Sequence, residues 1–74
     1  MINELDLVVL LNDMPDLGLR KGDVGTVVMI HGQGGGYEVE FSTFGGLTVA
    51  VATLSANAVR AVGRREIAHV RELA

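Results

Sequence analysis

"HGQGGGYEVEF", residues 31–41, sets four glycines before a segment in which Tyr37, Val39 and Phe41 alternate with Glu38, Glu40 and Ser42. Glycine-rich stretches cradle phosphates when they follow a strand and open a helix, because the helix N-terminus supplies the N–H donors. Here the third glycine of the dinucleotide pattern falls on Tyr37, and residues 37–42 have the period-2 alternation of a half-buried strand. No Gly-Lys-Ser/Thr occurs either. Gly32, Gly34, Gly35 and Gly36 therefore read as a loop, free to take positive φ, between two antiparallel strands.

Thr26 to His31 is β-branched and apolar and forms the strand before this hairpin; Tyr37 to Phe41 is the strand after it. "STFGG" (42–46) supplies a second hairpin turn. Leu47, Val49 and Val51 then alternate with Thr48, Ala50 and Ala52 in a further strand. On the N-terminal side, Leu5, Leu7 and Val9 alternate with Asp6 before Val8, Leu10 and Leu11 close a first strand ending at Asn12. "NDMPDLGLRKGDVG" (12–25) has no helical period and carries the turn residues Pro15, Gly18, Gly22 and Gly25, so it is a long ordered loop. Ser55 to Asn57 make a tight 3₁₀ turn before a short last strand, Ala58 to Val62. Beyond Gly63, Ile67, Val70 and Ala74 sit at helical spacing among Arg and Glu. The expectation is an all-β domain over 1–62, a small five-stranded SH3-like barrel, with a short C-terminal amphipathic helix or tail over 63–74.

At 74 residues the chain makes one small domain, burying about 0.6 of its unfolded surface. It has no cysteine, so no disulfide or thiolate cluster supports it. Apolar residues are 49% of the chain and aromatics 4%, which leaves the core to Val, Leu, Ile and Ala. That apolar excess points to surface covered by a second subunit, and a homo-oligomer is expected. The longest uncharged apolar runs, 7–11 and 47–54, are too short to span a bilayer. The acidic N-terminal stretch is unlike a signal peptide, and a soluble cytoplasmic domain is expected.

The string 4–30, followed by "YEVEF" (37–41) and "LTVAVATLSANAVRAV" (47–62), resembles a family of short bacterial proteins known only as a domain of unknown function. Its most specific part is Asp13, Pro15, Gly18, Leu19, Gly22, Gly25, Thr26, Val27 and Val28, with Tyr37 to Phe41. The resemblance implies an SH3-like barrel and little about function. Gly22-x-x-Gly25-x-Val27 also resembles the start of the KOW motif of ribosomal and transcription-factor barrels, and barrel segments of nitrile-hydratase-type subunits. Those relatives divide between RNA binding and subunit packing.

Charge separates these two. Residues 1–59 hold seven acidic and two basic side chains (−5), whereas residues 60–74 hold four basic and two acidic ones (+2). An RNA-binding barrel needs a basic face. The candidates for one are Arg20, Lys21, Arg60, Arg64 and Arg65, and Asp13, Asp16 and Asp23 outnumber the first two locally.

Catalysis finds little support. His31 at a hairpin mouth and His69 in the tail lack the nucleophile and orienting partner of a catalytic set, and Ser42 and Ser55 sit in turns, where hydroxyls bond local backbone. Asp13, Asp16 and Asp23 miss the calcium-loop spacing, so no metal or cofactor is expected. The anomaly is the fourth strand. If Leu47, Val49 and Val51 face inward, its outer face is Thr48, Ala50 and Ala52, small and uncharged where a monomer carries charge. These residues, with Val8 and Leu10 as neighbours and with Ile67, Val70 and Ala74 of the tail, form the candidate interface. The expected function is a non-catalytic protein-interaction module that self-associates, or that scaffolds or masks a partner as an antitoxin or immunity protein does. The alternative is a KOW-like nucleic-acid-binding barrel.

Overall fold

The computed structural model describes residues 1–73. Five strands, β1 (Leu7–Leu10), β2 (Val24–His31), β3 (Gly36–Ser42), β4 (Thr48–Ser55) and β5 (Val59–Ala61), form one antiparallel sheet in the order β4-β3-β2-β1-β5. Two single-turn 3₁₀ segments, Pro15–Leu17 and Ala56–Ala58, are the helical elements among the described residues. The second turn carries the chain from β4 straight into β5. These two strands are the edges of the sheet, each with one hydrogen-bonded neighbour.

The glycine hairpin forms as its composition requires. Gly32 (φ 57°) and Gly34 (φ 96°) adopt the left-handed backbone that bulkier residues avoid, and the Gly34 N–H donates to the His31 carbonyl at 3.2 Å. The long loop is ordered by its own backbone. Met14 and Leu19 exchange two hydrogen bonds (2.9 and 3.0 Å) around Pro15–Leu17, and Gly18 closes that turn at φ 72°. Asp13 then accepts the Lys21 N–H and Asp23 the Arg20 N–H, each at 2.8 Å. The loop is tied to β1 where Leu10 donates to the Asp23 carbonyl and accepts from Gly22.

The core is Val8, Leu10, Leu19, Val27, Tyr37, Val39, Phe41, Ala52, Leu54 and Val59. Burying a branched aliphatic side chain of this kind contributes about 1.5–3 kcal/mol. Gly25 lies inside β2 rather than in a turn. A Cβ there would stand 2.5 Å from Val39 Cγ1 and 2.9 Å from both the Glu40 carbonyl oxygen and Phe41 Cε1, so only a hydrogen fits. Gly36 also lies in a strand, as the first residue of β3.

Two strands run in the opposite phase to the one their sequences suggest. In β1, Val8 and Leu10 face the core while Leu7 is exposed. In β4, Ala52 (3% exposed) and Leu54 are buried and Ala50 is half-buried, whereas Val51 is 55% exposed and Leu47, just before the strand, is exposed too. The register explains the choice. Ala50 sits opposite Phe41, Ala52 opposite Val39 and Leu54 opposite Tyr37, so small β4 side chains leave room for bulky β3 ones. A register shift between Phe41 and Ser42 further breaks the simple alternation at the start of β4.

The expected C-terminal helix does not form within the described residues. After a turn at Gly63–Glu66 the chain runs without secondary structure to residue 73. A single short amphipathic stretch is marginal as a helix in water. Its polar side chains instead bind the body of the domain. No helix among the described residues is long and apolar enough to cross a membrane.

Candidate functional site

Two features of the surface stand out, the β4 edge and the path of the tail. β4 is eight residues long and reads Thr-Val-Ala-Val-Ala-Thr-Leu-Ser, with no charge and no proline. An edge strand exposes a row of backbone donors and acceptors to any chain that can pair with it. Proteins usually blunt such edges with Lys, Pro or a bulge, and here only the shift near Ser42 does so. Exposed apolar side chains accompany the edge: Phe44, 94% exposed at the tip of the β3–β4 turn, then Leu47 and Val51.

The outer face of the sheet continues from Val51. Leu7, Thr26, Glu40 and Val51 lie side by side across four strands. The two carboxylates of β3 on this face, Glu38 and Glu40, are both engaged. Glu38 accepts from the Thr53 hydroxyl at 2.6 Å and from His31 Nε2 at 2.7 Å, and these bonds, the threonine's first, hold its carboxyl below the usual range. Glu40 accepts from the Thr48 hydroxyl at 2.8 Å. Both threonines lie on β4, so the carboxylates of β3 fasten the edge strand to the sheet.

The tail is held at two points. Arg60 donates to both oxygens of Glu66 at 2.7 Å, and the Gly63 N–H adds a third bond. Arg60 first and that amide second hold the Glu66 carboxyl down to about 2. Farther on, Arg71 Nε and Nη2 donate to the two oxygens of Asp23 at 2.7 and 2.6 Å, and Nη2 also reaches the Gly18 carbonyl at 3.1 Å. Arg71 is the leading cause of the lowered Asp23 carboxyl. Arg71 and Leu73 line a cleft of about 490 Å³ with Asp13, Pro15, Leu19 and Val49, so the tail ends beside the start of β4. A second cleft, about 450 Å³, lies between Ile2, Ile30, Gln33 and Tyr37.

The residues singled out from sequence scatter over this surface. Of the interface set, Thr48 is exposed at the start of β4 while Ala50 and Ala52 face the core; the exposed groups are Val51 and Leu47. Val8 and Leu10, offered as neighbours of that face, are core residues. Ile67 (95%) and Val70 (67%) are exposed on the tail, and Ala74 lies outside the described residues. Of the basic set, Arg20 and Lys21 are on the loop, Arg64 and Arg65 in the turn after Gly63, and Arg60 is bound to Glu66. Sequence reasoning misses Arg71, the residue that joins tail to loop. Its partner is 48 positions away, and no local pattern marks it.

Comparison with known families adds the extent of the matched segment to this geometry. A family model described as a domain of unknown function (DUF4926) matches residues 4–61. The chain belongs to that family. The DUF4926 match takes in all five strands and every core residue, and stops at Ala61, the last residue of β5. The tail that carries Glu66 and Arg71 therefore lies C-terminal to the DUF4926 segment. Comparisons with curated proteins and with solved structures gave no match.

Proposed function

We propose that this DUF4926 chain is a non-catalytic interaction module on an SH3-like barrel scaffold, and that it self-associates by strand addition at β4. The observation that carries this reading is the uncharged eight-residue edge with a single hydrogen-bonded neighbour. Adding a strand to such an edge satisfies its free backbone groups, and a two-fold axis makes the contact self-complementary. A register centred on Val51 sets Val51 against Val51 on the outer face and Ala50 against Ala52 on the inner. No like charges then meet across the axis. The barrel assignment draws on the strand count, the order of the sheet and the 3₁₀ turn linking β4 to β5.

Charge placement favours this over the nucleic-acid reading. Arg60 and Arg71 are each engaged by a carboxylate, and Arg20 and Lys21 share their loop with three aspartates. The two readings differ in salt response, since phosphate binding weakens steeply with salt and apolar strand pairing does not.

The test is molecular mass in solution by light scattering, at low and high salt, for the native chain and for Val51→Lys. A dimer at both salt concentrations that becomes a folded monomer on substitution is the expected result. A native monomer, or a dimer indifferent to the substitution, overturns the proposal.

A further inference from the structure

The Arg71 contact has the form of a receptor with its ligand in place. The receptor lies on the DUF4926 segment, where the Asp23 carboxylate and Gly18 carbonyl take the guanidinium, and Arg71 and Leu73 line one cleft together with Pro15, Leu19 and Val49. The ligand, residues 71–73, lies beyond the family match and reaches the cleft through a connector from Gly63 to Val70. That connector is held at Glu66, while Ile67 and Val70 remain in water. We propose that the cleft binds Arg71–Leu73 in trans as well as in cis, and that the trans occupant is the tail of a second copy of this chain.

Two observations point to a second copy. The charge is complementary, with −5 on residues 1–59 and +2 on residues 60–74. The cleft is continuous with the edge proposed to pair, because Val49 belongs to both. Exchange of an identical segment costs little when the same contacts are remade in the partner. Exchange by this route rests on the β4 pairing proposed above.

The test uses two full-length variants that each break one half of the contact. Arg71→Ala keeps the cleft and loses the ligand; Asp23→Asn keeps the ligand and blunts the cleft. Mixed in equal amounts, with one chain isotope-labelled, they should form mixed dimers in native mass spectrometry above the share that random pairing gives. A preference of about fivefold is expected from one partly exposed ion pair restored across the interface. Mixing Arg71→Ala with the double variant, which supplies no working tail, should give random pairing. A random share in the first mixture, or enrichment in the second, overturns exchange. Should Asp23→Asn not fold, a synthetic peptide of residues 65–73 added to full-length Arg71→Ala replaces it. Saturable binding that is lost when the peptide's arginine is replaced supports the cleft, and no binding overturns it. The two proposals separate cleanly: a Val51-sensitive native dimer with random mixing leaves pairing standing and removes exchange, and a native monomer removes pairing and leaves the peptide to decide the cleft.

Discussion

Arg71 and Asp23 meet through two near-parallel hydrogen bonds, 2.7 and 2.6 Å long, that close the last described residues of the chain onto the loop after β1. The fork geometry suits a planar guanidinium and a carboxylate, and lysine cannot reproduce it. Arg71→Lys should therefore release residues 67–73 almost as fully as Arg71→Ala while leaving the core intact. Backbone NMR relaxation checks this, since order parameters should fall in the tail and stay unchanged in β1 to β5.

Acid should loosen the other tail contact over a defined range. The Glu66 carboxyl is held down to about 2 from an ordinary value of 4.5, so the folded form binds this proton more weakly than the unfolded one. Its contribution is complete above the ordinary value and is lost as pH falls through about 2. Asp23, also lowered, acts in the same direction. The Gly63 amide proton, bonded to Glu66, should titrate with an apparent pKa near that low value in NMR spectra, and Glu66→Gln should abolish the step.

Gly25→Ala should destabilise the domain by about 1–3 kcal/mol, the usual cost of forcing a methyl group into a filled core. Its Cβ would meet Val39 and Phe41 side chains and the Glu40 backbone at once. At Gly35, where a Cβ meets nothing within 4 Å and φ is not positive, the same change should be neutral or stabilising by up to about 1 kcal/mol. Urea unfolding of both variants supplies the comparison.

The phase of β4 has its own test. Ala52→Glu buries an unpaired charge opposite Val39 and should leave most of the chain unfolded, whereas Val51→Lys, one residue away and opposite Glu40, should fold with stability within about 0.5 kcal/mol of a native monomer. Circular dichroism on the pair decides it. If the first folds and the second does not, β4 faces the other way.

Leu10→Ala removes one of the largest fully buried side chains and should cost about 2–5 kcal/mol. Much of a small domain's stability lies in that range. Thermal melting should therefore show a large drop or loss of the transition.

Strand positions are legible in the sequence because period-2 alternation and glycine turns bracket each one. The faces of β1 and β4 are not. Leu5, Leu7 and Val9 make one apolar row and Val8, Leu10 and Leu11 another, so polarity does not say which row is buried. In β4 the choice falls between valine and alanine, and it is decided by side-chain volume on β3, which no local pattern records. The helix expected after Gly63 has only Ile67, Val70 and Ala74 to support it. Ion pairs of Arg60 with Glu66, six positions on, and of Arg71 with Asp23, 48 positions back, set the path of the tail instead, and neither separation is a helical or strand period.

Tyr37, buried opposite Leu54 on the central hairpin, is the single tyrosine of a chain without tryptophan. At wavelengths beyond the absorption of Phe41 and Phe44, emission and near-ultraviolet dichroism thus come from one ring at one known place in β3. The domain carries a built-in optical label, and loss of packing around the β2–β3–β4 hairpin can be followed by light alone, with no chromophore added.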